Sequence, residues 1–257
     1  MNIKSLMIGT LCLLASVGAI AEQVQTQTFD IGDVREIVAS GAAEIHIRQG
    51  ATPSLRAEGT EEVLSRLIVK AKGDRLTLGV KPEPAPRRWF GGNHETPVFF
   101  LELPELSLLH ASKAVIVTLD EMNGTNVEIK LSGASRVSAD KISIFNLDAE
   151  LSGASRIETS ELSGESARIA LSGASRIDVS AGGQLKKLDV HASGASRFEG
   201  SSILSQQVRA SASGASNILV HAEESLDGNA SGASHIRYKG DPRVQQRTSG
   251  ASSFQTL

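Results

Sequence analysis

Arginine recurs at one fixed place in this sequence, directly after a Ser-Gly-Ala-Ser tetrapeptide. The four residues are Arg136, Arg156, Arg176 and Arg197, and two positions after them come Ser138, Glu158, Asp178 and Glu199. If the tetrapeptides stack at the strand spacing, the guanidinium groups form one column and the acids form a second column on the same face. Two chemistries fit: solvated cross-strand salt bridges, or a strip that binds an anion or a glycan. The residues favour the salt bridges.

A second group, Arg87, Arg88, Trp89 and Phe90, lies in a segment that breaks every surrounding pattern, residues 82–97. Prolines at alternate positions and a Gly-Gly pair favour an extended, mobile loop. Aromatic rings beside guanidinium groups are suited to gripping a sugar or a peptide. The alternative, which the residues favour, is a loop whose aromatic rings pack over the end of the core.

The other reactive residues form no recognisable catalytic or metal-binding set. The six histidines are dispersed without zinc-like spacing, and no nucleophile elbow or phosphate-binding glycine loop is present. Glu158, Asp178 and Glu199 form a ladder beside arginines, whereas a glycoside-cleaving enzyme needs a singular cluster of carboxylates. We therefore assign no catalytic residue, no metal and no cofactor, and we expect a protein that is not an enzyme.

The elements that position these residues are set by an internal repeat. Ser-Gly-Ala-Ser occurs seven times, starting at Ser132, Ser152, Ser172, Ser193, Ser213, Ser231 and Ser249. A degenerate copy, Ser112-Lys113-Ala114, precedes the first. A mean spacing of about 20 residues is typical of short structural units stacked on each other.

Each repeat predicts strands with one buried face. The second residue after the motif is always apolar: Val137, Ile157, Ile177, Phe198, Ile218, Ile236 and Phe254. Apolar and polar residues also alternate before the motif, which is the period of a strand. Successive copies run in the same direction, so the fold class is all-β, a parallel β-helix of about 20 residues per rung, right-handed by the crossover rule. We expect looser return segments at Lys141–Phe145 and Ser201–Ser205.

The motif itself has the composition of a tight corner. Glycine supplies the positive φ that a turn requires, and alanine and serine let corners stack closely. Two serines per corner could form hydroxyl ladders along the axis, and we interpret them as structural.

The region before the repeats shows the same alternation. Ser40-Gly41-Ala42-Ala43 resembles a corner, and Thr60–Leu64 resembles a capped helical turn. We expect one β-solenoid domain over residues 22–257. Its N-terminal section, residues 29–103 with the insertion 82–97, closes one end, and residues 104–257 form the regular rungs.

The first 21 residues have the features of a secretory signal peptide: Lys4, an apolar stretch from Leu6 to Val17, and Ala19-Ile20-Ala21 before the cleavage point. The sole cysteine, Cys12, lies within them, so no disulfide is expected afterwards. We expect export to the periplasm, outer membrane or exterior of a bacterium, with no transmembrane segment in the mature chain. A net charge of −3 gives no general attraction to nucleic acid.

The sequence also resembles a known family. Ala39-Ser40-Gly41-Ala42-Ala43, Ile47-Arg48-Gln49-Gly50, Leu103-Pro104-Glu105-Leu106 and the repeated Leu-Ser-Gly-Ala-Ser are similar to segments of the putative auto-transporter adhesin, head GIN domain proteins of bacteria. The resemblance covers about residues 29–257. It implies a secreted, β-helix-like domain and suggests adhesion, and it brings no catalytic residues.

Together these observations predict an exported, noncatalytic interaction module of the cell envelope or surface, with a glycan or an envelope or surface protein as partner. The alternatives are a polysaccharide-active β-helix enzyme, since such folds host them, and a purely structural scaffold.

Overall fold

The computed structural model describes residues 24–81 and 96–257. The part before the repeats contains six strands and one short helix: β1 (Gln25–Phe29), β2 (Glu36–Gln49), β3 (Ser54–Gly59), α1 (Glu61–Ser65), β4 (Leu67–Lys72), β5 (Arg75–Val80) and β6 (Val98–Leu103). The repeats follow as β7 (Leu108–Leu131), β8 (Arg136–Leu151), β9 (Arg156–Leu171), β10 (Arg176–Ala192), β11 (Arg197–Ala212), β12 (Asn217–Ala230), β13 (His235–Lys239), β14 (Arg243–Thr248) and β15 (Ser253–Thr256). The helix confirms the helical turn predicted at Thr60–Leu64, but the side chain of Thr60 makes no capping hydrogen bond.

The repeats form a parallel β-solenoid of about seven turns, as predicted. Val137 pairs with Ile157, Ile157 with Ile177 and Ile177 with Phe198. Ile218 and Ile236 continue the column, and every member is buried. The predicted register is therefore confirmed. The hand of the coil stays a prediction.

Each coil has three sides, which β8 illustrates. Its buried residues come in the runs Val137 and Ala139, then Ile142 and Ile144, then Leu147, Ala149 and Leu151. Two consecutive non-buried residues separate the runs, and the pairing with β7 skips a residue at each separation. A strand that shows two outward residues in succession has bent, because regular strands alternate. The core is thus a narrow column of Ile, Val, Leu and Ala enclosed by the three sides of the coils.

The expectation of loose return segments is wrong. Lys141–Phe145 lies inside β8 and pairs with β7 and β9, and Ser201–Ser205 lies inside β11. Ile142 and Ile144 alternate with polar residues as in a regular strand, and together with Ile203 they are buried in the core. The alternation over residues 141–144 is therefore itself the signal of a strand.

The corner glycines leave no room for a side chain. Gly133, Gly153, Gly173 and Gly194 all have φ between 72° and 75°. The carbonyl oxygen of each accepts a hydrogen bond from the alanine amide of the next coil, at 2.7 Å from Gly153 to Ala174. A Cβ on Gly173 would lie 2.7 Å from that same oxygen of Gly153. Glycine is therefore required here for two reasons: the backbone has a positive φ, and the carbonyl oxygen of the preceding corner lies too close for a Cβ atom.

The two serines of the motif differ, which corrects the expected hydroxyl ladders. The second serine is buried, and its hydroxyl donates to a backbone carbonyl: Ser155 to Ser152 at 2.6 Å, and Ser175 to Ser172 at 2.9 Å. Ser175 also reaches the carbonyl of Leu151, on the coil below, at 3.3 Å. The hydroxyls thus bond to carbonyls rather than to each other. A buried hydroxyl needs an acceptor, and the carbonyl groups of the corner provide one.

The N-terminal strands extend the coil with mixed pairing. The two ends of β2 pair in parallel with β7 on one edge and with β5 and β6 on the other. Antiparallel strands lie outside these: β4 on β5, β3 on β6, and β1 on β3. In the degenerate corner, Lys113 adopts φ 73° and pairs with Gly41, where a Cβ would meet only the backbone nitrogen of Val80, at 3.9 Å.

We predict that Gly173→Ala destabilises the solenoid by about 2–5 kcal/mol, because an alanine there combines a left-handed backbone with overlap of a fixed carbonyl. Urea unfolding measures the loss.

Gly73→Ala is the matched control. Gly73 has φ 57°, but nothing lies within 4 Å of its Cβ position, so only the backbone cost of about 1 kcal/mol applies. Equal losses at the two positions would contradict the close-approach argument.

Candidate functional site

A long groove runs along the solenoid beside the corners, with a volume of about 730 Å³. Most coils contribute the first serine of the motif and the two residues before it. The outermost of these three forms one column of side chains: His110, Lys130, Glu150, Ala170, His191, Ser211, Asn229 and Arg247. Seven strand spacings of about 4.8 Å give this column a length of about 34 Å.

The strand period and the corner together make the surface concave. In β8, Glu150 points outward and Leu151 points into the core, where it is 2% exposed. The chain then turns at Ser152, and Gly153 and Ala154 are exposed again. A depression therefore lies between the outward column and the corner, and repetition in every coil extends it into a groove.

Between its two walls the groove is lined by residues whose apolar side chains are buried. Leu131, Leu151 and Leu171 line its first half, and Ala192, Ala212 and Ala230 line the second. The register places these residues one above another, and all are buried.

The wall on the corner side is a column of hydroxyl groups. The hydroxyls of Ser152, Ser172 and Ser193 reach backbone carbonyls only at 3.3–3.5 Å. Within residues 24–81 and 96–257, the hydroxyls of Ser132 and Ser213 donate no hydrogen bond. The second serines of the same corners bond at 2.6–2.9 Å. The first serines therefore retain hydrogen-bonding capacity for a ligand.

The opposite wall changes chemistry from coil to coil. Lys130 lies beside Glu150, but its ammonium group pairs with Glu128, and this hydrogen bond raises the pKa of Lys130 above its ordinary value. The Nε2 atom of His191 lies 3.0 Å from a carboxylate oxygen of Asp189. Two side chains of the wall are thus oriented by neighbours one step outside the groove.

The arginine column lies across the corner from the groove and does not line it. Its guanidinium groups are partly exposed, and three of them pair with the acid two residues further along the same strand. Arg156 lies 3.0 Å from Glu158, Arg176 lies 2.6 Å from Asp178, and Arg197 pairs with Glu199. The expected cross-strand bridges are therefore wrong in one respect: the pairs form within a strand.

This geometry has a simple cause. Residues i and i+2 share a face, and a long arginine side chain reaches its own neighbour without approaching the next guanidinium. The hydrogen bond with Asp178 raises the pKa of Arg176. Arg136 is followed by Ser138 instead of an acid, and no ion pair forms at Arg136 in the part of the chain that the structure describes.

The other predicted group, Arg87, Arg88, Trp89 and Phe90, lies outside the described residues and stays a prediction. Among the residues that are described, no three His, Cys, Asp or Glu side chains are grouped to hold a metal, and no helix is long and apolar enough to cross a membrane.

Sequence reasoning missed the groove. The position two before each motif does change residue type along the repeats, but other exposed positions change as well, such as the series Glu128, Asp148, Arg168 and Asp189 two residues earlier. From the sequence alone this position therefore looks like any exposed position of a strand, and only the structure shows that it faces the corner across a groove.

The fold and the site define a parallel β-solenoid with an elongated surface groove. The family described as putative auto-transporter adhesin, head GIN domain, matches residues 33–242, and the chain belongs to this family. No curated protein matches the chain.

Solved structures show the same fold. A putative adhesin from Parabacteroides distasonis is 17% identical with a TM-score of 0.82, covering 92% of this chain and 98% of its own. A putative adhesin from Parabacteroides merdae is 18% identical with a TM-score of 0.82, covering 92% and 97%. A putative lipid binding protein from Parabacteroides distasonis is 18% identical with a TM-score of 0.79, covering 92% and 98%.

We predict that Arg176→Ala changes the free energy of unfolding by only about 0–1 kcal/mol, since the pair with Asp178 is partly exposed. Arg136→Ala, which removes an arginine without such a partner, should change it by less. Thermal melts at low and high salt measure both, and salt should reduce the Arg176 effect. A loss well above this range would mean that the column is coupled or buried.

Proposed function

We propose that this protein is an exported, noncatalytic interaction module of the adhesin type, and that it holds an extended ligand in the groove. One observation carries the proposal. The groove wall presents a different side chain on almost every coil, whereas the buried column and the corners repeat a few residue types. A surface that varies along a repeating scaffold is where specificity can reside.

The dimensions support an extended ligand. A groove about 34 Å long is longer than an ordinary metabolite. Its volume of about 730 Å³ extends along all eight residues of the column from His110 to Arg247. The family description supports adhesion, and the name of one similar structure, a putative lipid binding protein, shows that ligand binding has been suggested for this fold. Export rests on the signal-like first 21 residues.

The chemistry of the groove supports binding rather than catalysis. Glu150 is the single carboxylate among the described residues that line it. Hydrolysis of a glycosidic bond ordinarily uses two carboxylates placed on either side of the bond. Lys130, the nearest cation on the wall, is engaged by Glu128 outside the groove.

A groove-filling substitution tests the proposal. Ala170 lies between Glu150 and His191 on the wall, so Ala170→Trp would place a large ring across the path of an extended ligand. We expect retention of the purified protein on sedimented bacterial envelopes to fall by about tenfold, as loss of a central contact region does in other interfaces.

Ser143→Trp is the matched control, because Ser143 lies on another side of the coil and outside the groove. It should leave retention unchanged. Equal retention of both variants, or no retention of the unmodified protein, would contradict the proposal.

A further inference from the structure

We infer that the ligand of the groove is a linear, uncharged glycan that lies along the solenoid axis with its sugars in step with the coils. This inference rests on the proposed function and specifies its ligand class. It starts from the spacing of the hydroxyl wall. Each coil supplies one first serine, and successive serines are one strand spacing apart, about 4.8 Å. Successive sugars of an extended β-1,4-linked chain advance by nearly this distance and alternate in orientation, so each coil can face one sugar and the same edge of the sugar can meet a serine on every second coil.

The hydroxyl wall has unused hydrogen-bonding capacity at each step. Ser152, Ser172 and Ser193 make only long contacts with carbonyls, and each hydroxyl can donate one hydrogen bond and accept others. A glycan presents hydroxyl groups that are both donors and acceptors, so each sugar can satisfy the serine of its own coil.

The opposite wall fits an uncharged partner better than a polyanion or a polycation. It mixes donors and acceptors: Glu150 accepts, Arg247 donates, and Asn229 does both. A polyanion would meet the carboxylate of Glu150, and a polycation would meet Lys130 and Arg247.

The groove is poorly suited to the other extended ligands. A peptide added as a strand needs free backbone groups, but the backbone of β8 to β11 is already paired with the coils on both sides. An acyl chain would meet little apolar side-chain surface between the walls, because the leucines and alanines there are at most 3% exposed. It would also cover the serine hydroxyls along one wall without offering them a partner, which is costly.

The groove lining also predicts how the affinity should behave. Among the described residues that line the groove there is no Phe, Tyr or Trp, so none of these residues holds a sugar by stacking an aromatic ring on it. Affinity then comes from many small contacts and should rise with the number of coils engaged.

The test titrates the chain from Glu22 onward with a series of linear β-1,4-linked gluco- and manno-oligosaccharides, from disaccharide to octasaccharide, by calorimetry. Polygalacturonate and palmitate are the polyanionic and lipid probes. We expect the affinity for at least one neutral series to rise by about tenfold or more between trisaccharide and hexasaccharide, as added contacts accumulate on one ligand.

Two triple variants locate the contact on the same coils. Replacing Ser152, Ser172 and Ser193 with alanine removes hydroxyls with weak internal bonds, so the fold should persist by circular dichroism while affinity for the hexasaccharide falls by about tenfold. Replacing Arg156, Arg176 and Arg197 with alanine, across the corner, should leave this affinity unchanged.

Three results would overturn the inference: no neutral series binds, affinity is independent of length, or the serine variant binds as well as the unmodified chain. If in that case Ala170→Trp still lowers the retention of the protein on bacterial envelopes, the groove binds a ligand and only its assignment as a glycan is wrong. Preference for palmitate or polygalacturonate would then name the class that replaces it.

Discussion

The close approach of successive corners is the constraint on which this molecule depends. The oxygen of Gly153 is 2.7 Å from the amide nitrogen of Ala174, and a Cβ on Gly173 would be equally near that oxygen. No residue with a side chain can occupy such a place without moving a coil. Since every coil is fixed by the one before it, one tetrapeptide sets the rise of the solenoid, the register of its buried column and the satisfaction of its corner carbonyls.

The same corner creates the candidate site. The chain turns at the first serine while the residue before it remains in the core, so the corner stands out beside the preceding strand as one wall of a groove. Stacking demands identical corners, and this wall is therefore uniform. The opposite wall is under no such demand, because its side chains only have to point outward. The solenoid thus combines a regular wall of hydroxyl groups with a wall whose residues are free to vary. The column from His110 to Arg247 shows this variation.

The sequence predicted the elements that repeat and missed those that arise from packing between coils. The buried column through Ile177 and the corner role of Ser-Gly-Ala-Ser follow from alternation and composition, and both are confirmed. The third side of each coil was misjudged, because Lys141–Phe145 alternates as a strand does and pairs with both neighbouring coils. The partners of Arg176 were also misassigned: an acid two residues away and an acid on the next strand give the same pattern of residue types. The groove could not be predicted, because concavity depends on how far a corner projects.

Labelling of single cysteines tests most directly whether recognition occurs on the groove side of the corner. From Glu22 onward the sequence contains no cysteine, so Ser211→Cys in the groove and Ser138→Cys beside the arginine column can each report alone. The rate at which a soluble thiol reagent labels each cysteine would be measured with and without sedimented bacterial envelopes. We expect the envelopes to slow labelling at position 211 by about tenfold and to leave position 138 unchanged, as burial of one face in an interface requires. Protection at position 138 with none at position 211 would contradict this account, because it would show that the face with the arginine column contacts the envelopes.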